Sequence, residues 1–197
     1  MAKRIFDIFF SLLGLAVLGL PMLIISLIIK LTDRGPVLYK QVRVGKDGVE
    51  FKIFKFRTMV VNADKIGAQI TVGADPRITP IGRFLRGTKL DELPQLLNVL
   101  AGTMSFVGPR PEVPKYVAMY NPDQKKVLSV TPGITDLASI KYRSESEILS
   151  QAGENWEKAY IEHVMPDKLK LNLEYIQKRS LLFDISLILK TLLRLFS

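Results

Sequence analysis

The most strongly patterned part of the chain is its N-terminal segment. Residues 8–29 carry no charged side chain and are almost wholly apolar, with Pro21 near the middle. A helix that spans a bilayer needs about 20 apolar residues, so this segment is long enough to cross a membrane. Proline removes a backbone donor and disturbs the preceding turn, so we expect the helix to break at Pro21.

Basic residues flank both ends of this segment, and they are Lys3, Arg4, Lys30 and Arg34. Lysine and arginine favour the cytoplasmic side of a membrane, and here they do so at both ends. A re-entrant helix, which enters the bilayer, bends at Pro21 and returns, satisfies both flanks. We therefore predict a re-entrant membrane helix over residues 1–34 and a cytoplasmic domain over residues 35–197.

Two other interpretations of the segment stay open. Spanning helices tolerate proline, so a straight crossing of the membrane is one of them. A secretory signal peptide is the other, although it has a shorter apolar region and a small-residue cleavage site. The small residues Gly14, Ala16 and Gly19 are present, but no clear cleavage site follows them.

Beyond this segment, the pattern predicts a β-hairpin. Polar and apolar residues alternate over residues 37–44, a turn signal follows at 45–48, and residues 51–59 are aromatic and β-branched. The basic residues interleaved in the second strand are Lys52, Lys55 and Arg57. We expect them to form a solvated face, which could also meet lipid headgroups.

Helical patterns are found in three further segments, residues 62–70, 155–178 and 181–196. The first is weak, and Pro166 interrupts the second. In the third, Asp184, Lys190 and Arg194 can share one face, which predicts an amphipathic helix packed on the domain or lying in the membrane interface.

Two proline-containing loops, residues 108–111 and 131–134, are predicted to be rigid. Pro132 and Gly133 fit a type II turn with glycine at the positive-φ position. Together these patterns predict a mixed α/β, mainly helical fold. It combines an N-terminal re-entrant membrane helix with a domain that contains a β-hairpin and amphipathic interfacial helices.

Composition narrows the classes of function. The 197 residues include 28 Lys and Arg against 19 Asp and Glu, which gives a net charge of +9. This charge suits nucleic acid, an anionic membrane leaflet or a polyanionic small substrate. No nucleic-acid recognition module is evident, so no nucleic acid is expected as a partner. Cysteine is absent, which excludes disulfides and thiolate metal sites, and His163 is the one histidine.

The segment richest in reactive side chains is residues 83–94, which precede an apolar helical run. Thr88 and Asp91 match the spacing of a capping box, and Pro94 is tolerated only near the start of a helix. The sequence therefore predicts Asp91 and Glu92 at a helix N-terminus. There the helix dipole lowers the pKa of a carboxylate and attracts phosphate.

Four basic side chains are candidates to bind phosphate near this pair: Arg83, Arg86, Lys89 and Arg110. Arginine binds phosphate oxygens bidentately. A carboxylate beside them can hold Mg²⁺ against a diphosphate, or can attack phosphorus directly. The simplest alternative is that Asp91 and Glu92 only complement the helix dipole.

Residues 89–100, KLDELPQLLNVL, and 102–111, GTMSFVGPRP, closely resemble the bacterial sugar transferase family. These are the monotopic phosphoglycosyl transferases that start membrane glycan assembly. KFRTM at 55–59, TPGIT at 131–135 and the proline-containing apolar segment are also similar to the family. The resemblance covers essentially the whole chain and indicates the minimal form, without the additional N-terminal membrane helices of larger members.

The resemblance implies a two-step reaction and a catalytic role for residues 35–197. Asp91 would attack the β-phosphate of a UDP-sugar and release UMP, and the phospho-sugar would then pass to a polyprenol phosphate, such as undecaprenyl phosphate. Glu92 would be the partner of Asp91, either as a ligand of Mg²⁺ or in proton transfer. Mg²⁺ is the implied cofactor, with Asp91 and Glu92 as its candidate ligands.

The resemblance also implies a place in the cell and a set of partners. The protein would lie monotopically on the cytoplasmic leaflet of the bacterial inner membrane and supply downstream glycosyltransferases in polysaccharide and glycoconjugate biosynthesis. The chain departs from the family pattern at Asp136, where many members carry glycine, and at Asn172, where many carry aspartate. Metal and sugar contacts are therefore not assigned to Asn172. The alternative functions are a non-catalytic membrane-surface module and a membrane phosphohydrolase.

Overall fold

The computed structural model describes residues 1–67 and 70–195. The fold is mainly helical, as predicted, and contains two small sheets, of which only the hairpin was predicted. The α-helices are α1 (Ala2–Asp33), α2 (Ala63–Ile66), α3 (Pro80–Gly87), α4 (Gln95–Ala101), α5 (Pro114–Val117), α6 (Leu137–Lys141), α7 (Glu145–Ser150), α8 (Trp156–Ala159), α9 (Met165–Lys178) and α10 (Leu181–Leu195). The strands are β1 (Leu38–Val44), β2 (Glu50–Phe56), β3 (Ser105–Val107) and β4 (Gly133–Thr135). Short 3₁₀ turns cover Lys46–Gly48, Leu90–Glu92, Gln124–Ser129 and Gly153–Asn155, and a π-helical turn covers Tyr160–Val164.

The predicted hairpin is confirmed. Strands β1 and β2 pair in antiparallel register from Leu38 opposite Phe56 to Val44 opposite Glu50. The expected common face of basic residues is wrong. Lys52 is exposed, but the side chain of Lys55 is only 20% exposed and Arg57 is buried, because each of these two finds a polar partner inside the protein.

Helix α1 runs without interruption through Pro21, so the expected break into two helices is not found. A long helix tolerates the loss of one backbone donor. Among the described residues, it is the one helix long and apolar enough to cross a membrane, and only 6% of its most apolar stretch is buried. That exposure distinguishes α1 from the core helix of a soluble protein. The re-entrant path itself stays a prediction.

Both ends of α1 contact the same domain. Near its start, Arg4 donates hydrogen bonds to the carbonyl oxygens of Val99 and Leu100 at the end of α4, at 2.6 and 2.8 Å. Near its end, Ile25 and Ile29 are buried in an apolar cluster with the hairpin and α3. The packing therefore anchors the helix at two places, one on each side of Pro21.

A buried carboxylate of α1 strengthens the first of these anchors. Asp7 accepts hydrogen bonds from the hydroxyl of Ser105 and the backbone N–H of Phe106, both in β3. Lys3 donates to Asp184 Oδ2 at 2.5 Å, and Tyr175 donates to Asp184 Oδ1. The start of α1 is thus tied to β3 and α10 by charged hydrogen bonds, and Asp184 links it further to Tyr175 in α9.

Helix α10 confirms that this segment is helical over its described part, while Phe196 lies outside the described residues. The predicted polar face is wrong, because Asp184 is buried whereas Lys190 and Arg194 are exposed. The exposed side of α10 is instead largely apolar and includes Leu182, Ile185, Leu189, Leu192 and Leu193. The ion pair with the partly exposed Lys3 explains why Asp184 points inward.

The remaining helical predictions are confirmed in part. Of residues 62–70, Ala63–Ile66 form α2, while Ala68 and Gln69 lie outside the described residues. The long pattern over 155–178 divides into α8, the π-helical turn and α9, with Pro166 at the start of α9. The largest apolar core lies beneath α5, the π-helical turn and α9.

The predicted type II turn at Pro132 and Gly133 is wrong, because Gly133 does not have positive φ and begins β4. The glycine is needed for a close approach instead. A Cβ atom on Gly133 would lie 2.1 Å from the nitrogen of Gly108, and one on Gly108 would lie 2.4 Å from the oxygen of Thr131. This contact, beside the parallel β3–β4 pair, holds the 108–111 loop against the 131–136 segment.

Candidate active site

Asp91 and Glu92 lie in the 3₁₀ turn Leu90–Glu92, between α3 and α4. The predicted capping box is wrong, because Thr88 belongs to the end of α3. Its hydroxyl donates to the carbonyl oxygens of Phe84 and Leu85, at 2.9 and 3.2 Å. The two carboxylates therefore precede α4 by a turn and do not occupy its first positions.

The turn opens into a cleft of about 1500 Å³. The cleft brings together five of the predicted site residues, namely Arg86, Lys89, Asp91, Glu92 and Arg110, and adds Lys55. Arg83 is exposed on α3 and is not among the described residues that line the cleft, so the structure does not bring it to the site. His163 is also exposed and outside the cleft lining.

Glu92 is held by two cations. Lys55 donates to its Oε1 at 2.9 Å, and Arg110 donates from Nη1 to Oε2 at 3.2 Å and from Nη2 to Oε1. Burial alone would raise the pKa of Glu92, but the charges and hydrogen bonds of Arg110 and Lys55 outweigh it and hold the pKa well below its usual range. Glu92 is therefore a permanent anion at neutral pH.

Asp91 is in a different environment although it is the adjacent residue. It is 7% exposed, and within residues 1–67 and 70–195 no donor forms a hydrogen bond to its carboxylate. Burial raises the pKa of Asp91, the charge of Glu92 adds to the increase, and Lys55, Arg86 and Lys89 oppose it. The expected lowering by a helix dipole is wrong, because burial dominates in this short turn.

Among the described residues, no carboxylate forms an ion pair with Arg86. Its Nε donates to Thr58 Oγ1 at 2.8 Å, and its Nη1 donates to Thr71 Oγ1 at 2.9 Å. Burial lowers the pKa of Arg86, while the nearby charge of Asp91 raises it. In the part of the chain that the structure describes, neither Arg86 nor Lys89 belongs to an ion pair within 4.0 Å. These two cations are available for an anionic ligand.

Arg110 is largely committed to the protein itself. Besides Glu92, its Nη1 donates to the carbonyl oxygen of Ile134, and its backbone N–H donates to Asp136 Oδ2 at 3.0 Å. The charge of Glu92 raises the pKa of Arg110 against the effect of burial. Asp136, a departure from the family pattern, is fully buried and also accepts from the N–H of Ser139. The residue therefore fixes the loop that carries Arg110.

Lys55 is the site residue that the sequence analysis missed. Its Nζ donates to Glu92 and its charge also acts on Asp91. Burial lowers the pKa of Lys55, while Glu92 raises it. Successive strand residues point to opposite faces, so Lys55 and Lys52, three positions apart, cannot share one face. This alternation in the sequence could have indicated that Lys55 does not share the solvated face of Lys52. Asn172 also lines the cleft, and its Oδ1 is buried without a hydrogen-bond partner.

The donor set of the site restricts how it could hold Mg²⁺. No group of three or more Asp, Glu, His or Cys suited to a metal occurs among the described residues. Glu92 already has two cationic partners, which leaves Asp91 as the available carboxylate of the adjacent pair. Mg²⁺ is commonly held by one or two carboxylates together with substrate phosphates. The residues therefore fit a metal that binds with a phosphate-containing ligand, and they do not form a complete protein cage.

A large cleft that holds a buried carboxylate together with Arg86 and Lys89 suits an anionic, phosphate-containing ligand. The sequence profile of the bacterial sugar transferase family matches residues 1–197. The chain belongs to this family.

Individual relatives agree with this assignment. The chain is 37% identical over its whole length to a UDP-glucose:undecaprenyl-phosphate glucose-1-phosphate transferase of Escherichia coli (strain K12), and it spans 40% of that protein. It is 47% identical to the exopolysaccharide production protein PSS of Rhizobium leguminosarum bv. phaseoli, over 71% of the chain and 73% of the relative. It is 31% identical to the exopolysaccharide production protein ExoY of Sinorhizobium fredii, over 98% of the chain and 84% of the relative.

Proposed function

We propose that this chain transfers a phospho-sugar from a UDP-sugar to a polyprenol phosphate, such as undecaprenyl phosphate, on the cytoplasmic surface of the bacterial inner membrane. Family membership and the activity for which the E. coli relative is named support this reaction class. The single observation that carries the proposal is the environment of Asp91. Its buried carboxylate is without a hydrogen-bond donor among the described residues, and it faces Arg86 and Lys89 in the cleft.

Asp91 is the proposed nucleophile. One of its carboxylate oxygens attacks the β-phosphorus of the UDP-sugar and forms an acyl phosphate bond. The bond between that phosphorus and the oxygen bridging to the α-phosphate breaks, and its electron pair leaves with UMP. An oxygen of the polyprenol phosphate then attacks the same phosphorus, which releases Asp91 and gives polyprenyl diphosphate-sugar. A carboxylate free of hydrogen bonds has its lone pairs available for the first step.

Glu92 has a different proposed role. Its pKa is held well below the usual range, so it is unsuited to carry a proton near neutral pH. Its negative charge instead orients Lys55 and Arg110 at the edge of the cleft. The resemblance left two roles open for Glu92, Mg²⁺ binding and proton transfer, and the low pKa disfavours proton transfer. We propose that Glu92 acts mainly by orienting Lys55 and Arg110.

Mg²⁺ is proposed to bind together with the donor diphosphate, with Asp91 as its protein carboxylate. When bound, the ion would neutralise charge on the diphosphate oxygens. Arg86 and Lys89 would position the remaining phosphate oxygens next to Asp91, because both line the same cleft. Lys55 lies close enough for its charge to favour the ionised form of Asp91 before the donor arrives.

The two-point anchoring of α1 supports a monotopic location. A straight helix of 32 residues is about 48 Å long, which exceeds the thickness of a bilayer core. If α1 crossed the membrane, its two ends would lie on opposite sides. The contacts of Arg4 and Asp7 at one end and Ile29 at the other reach the same domain, which supports one membrane face for both ends.

The experiment that tests the function is trapping of the covalent intermediate. The full chain in detergent is incubated with a panel of UDP-sugars and Mg²⁺, without polyprenol phosphate, and quenched rapidly. We expect UMP release and a phospho-sugar mass added to the peptide that contains Asp91. Asp91→Asn should abolish both, because a neutral amide is a poor nucleophile. The matched control is Asp123→Asn on the exposed surface, which should leave both unchanged.

The outcomes separate the alternatives. UMP release that strictly requires polyprenol phosphate, with no adduct under rapid quench, would indicate direct transfer and contradict the role of Asp91 as nucleophile. Release of free sugar phosphate, with no polyprenyl diphosphate-sugar formed when the acceptor is present, would indicate a phosphohydrolase. No release of UMP from any UDP-sugar, with or without acceptor, would favour a non-catalytic surface module.

A further inference from the structure

We infer that Thr58 and Thr71 are positioning residues that aim the guanidinium group of Arg86 at the donor diphosphate. The two hydroxyls, named here the hydroxyl clamp, accept hydrogen bonds from Arg86 Nε and Nη1 at 2.8 and 2.9 Å. Both residues line the cleft together with Arg86 and Asp91. The inference rests on the proposed function only in identifying the natural anion as a diphosphate.

The chemistry of the acceptors distinguishes Arg86 from two other arginines that line the cleft, Arg77 and Arg110. Arg77 is held by the carboxylate of Asp75, and Arg110 is held by that of Glu92, so each of these charges is neutralised by the protein. Arg86 is held by neutral hydroxyls. A neutral acceptor fixes the direction of a guanidinium group without cancelling its charge. The clamp therefore keeps Arg86 both oriented and available to an anion.

The donor inventory of Arg86 supports this geometry. A guanidinium group has five N–H donors in a rigid planar fork. Thr58 and Thr71 each use one of them, on Nε and on Nη1. The remaining hydrogens on Nη1 and Nη2 stay available for phosphate oxygens. Because the fork is planar, fixing two of its nitrogens fixes the direction of the third.

The backbone around Thr58 makes the clamp rigid. The carbonyl oxygen of Thr58 accepts the backbone N–H of Thr79 at 3.0 Å, just before α3 begins. A Cβ atom on Gly82 would lie 1.9 Å from that same oxygen, so α3 packs directly against the Thr58 backbone. Arg86 lies about one turn further along α3. One contact thus sets the distance between the Thr58 hydroxyl and the Arg86 side chain.

The test measures binding of inorganic pyrophosphate to the full chain in detergent, by titration calorimetry. Thr58→Val removes the hydroxyl and keeps a β-branched side chain, and we expect it to weaken binding roughly fivefold. Thr58→Ser keeps the hydroxyl and should restore binding to within about twofold. Thr71→Val should act in the same direction, and it serves as the second variant if Thr58→Val fails to fold. Thr88→Val, the same change at an exposed site outside the cleft lining, is the matched control.

A positioning role predicts dependence on Arg86. In an Arg86→Lys background, Thr58→Val should weaken pyrophosphate binding by less than about twofold, because lysine has no fork for the hydroxyls to orient. An undiminished fivefold loss in that background would show that Thr58 acts through another group, and it would overturn the inference. Normal pyrophosphate binding by Thr58→Val and Thr71→Val, or by Arg86→Lys alone, would overturn it as well.

The same variants show whether the transferase function or the hydroxyl clamp has failed. If the wild-type chain releases no UMP from any UDP-sugar, the proposed transferase function fails. The clamp would still be established by three results together. Thr58→Val weakens pyrophosphate binding, Thr58→Ser restores it, and Thr58→Val has little further effect in the Arg86→Lys background. If UMP is released normally by Thr58→Val and pyrophosphate binding is unchanged, the clamp is refuted while the transferase function stands.

Discussion

Arg110 and Glu92, 18 residues apart in the chain, meet through two hydrogen bonds that engage both carboxylate oxygens of Glu92. Asp91 is the residue next to Glu92, yet no such partner reaches its carboxylate among the described residues. Two adjacent acids therefore have opposite environments. One is bound to cations within the protein, and the other is left for a ligand.

The first prediction concerns the stability that Glu92 provides. Glu92→Gln should lower the free energy of unfolding by about 3 kcal/mol, because it leaves Lys55 and Arg110 with largely buried, uncompensated charges. Urea unfolding monitored by circular dichroism measures the change. Glu174→Gln, which removes an exposed i,i+4 pair with Lys178, is the matched control and should leave stability unchanged. Equal stability of wild type and Glu92→Gln would contradict the prediction.

This stabilisation has a defined pH dependence. The pKa of Glu92 in the folded protein lies well below the ordinary value of 4.5, so the unfolded chain takes up the proton first as the pH falls. The contribution of Glu92 is complete above pH 4.5 and is lost progressively as the pH falls towards the lowered pKa. The difference in stability between wild type and Glu92→Gln should therefore shrink in acid. A constant difference across this range would argue against the lowered pKa.

The second prediction is that Asp91→Asn stabilises the protein. Burial raises the pKa of Asp91, so the ionised form opposes folding at neutral pH, and this cost is absent below the unfolded pKa. Removing the charge should raise the melting temperature by about 2–4 °C, which corresponds to about 1 kcal/mol in a chain of this size. Differential scanning fluorimetry at pH 7 and in acid would measure it. A lower melting temperature at pH 7 would contradict the prediction.

The third prediction separates the two arginines of the cleft. Arg86→Lys and Arg110→Lys should each lower kcat/KM for UMP release, because lysine lacks the planar fork. The expected loss of transition-state stabilisation is about 1–3 kcal/mol for each variant. Only Arg110→Lys should also lower the free energy of unfolding, because Arg110 holds Glu92. Kinetics and urea unfolding on both variants give the comparison. Unchanged turnover in both would remove them from the site.

The fourth prediction concerns metal removal. Chelation with EDTA should abolish UMP release, and added Mg²⁺ should restore it. Because the described residues include no cluster of three or more ligands for a metal, Mg²⁺ alone should not shift the melting temperature. It should raise the melting temperature when UDP is also present. A clear shift with Mg²⁺ alone would reveal a protein site complete without the donor.

The fifth prediction concerns the path of α1. The chain has no cysteine, so single cysteines at Ala2 and at Lys46 in the hairpin turn can be labelled selectively. In membrane vesicles, an impermeant maleimide should reach both positions from the cytoplasmic side. Labelling from opposite sides would indicate a true crossing. Pro21→Leu should favour that straight crossing, because it restores a backbone donor in the middle of α1.

Features that depend on neighbouring residues could be predicted from the sequence. The hairpin follows from alternation and a four-residue turn signal, and both are local. Asp91, Glu92, Arg86 and Lys89 were predicted because they lie within six positions of one another, and the cleft brings them together. The family resemblance supplied the roles of these residues, which chemistry alone left open.

Features that depend on distant pairing could not be predicted. Lys55 donates a hydrogen bond to Glu92, 37 residues away, and Asp184 accepts one from Lys3, 181 residues away. Local patterns placed both side chains on solvated faces, because a pattern does not reveal a buried partner of opposite charge. The environment of Asp91 was misjudged for a related reason, since burial by the surrounding cleft outweighs the local dipole.

Lys89 connects α3 to the turn that carries Asp91, and its backbone lies in the left-handed region at φ 59°. Such a conformation costs a non-glycine residue about 1–2 kcal/mol, and glycine would relieve that strain. The chain nevertheless has a lysine there, with its cationic side chain at the cleft. This position thus combines a strained backbone with a positive charge at the cleft. Replacing Lys89 with glycine to relieve this strain would therefore remove a positive charge from the cleft.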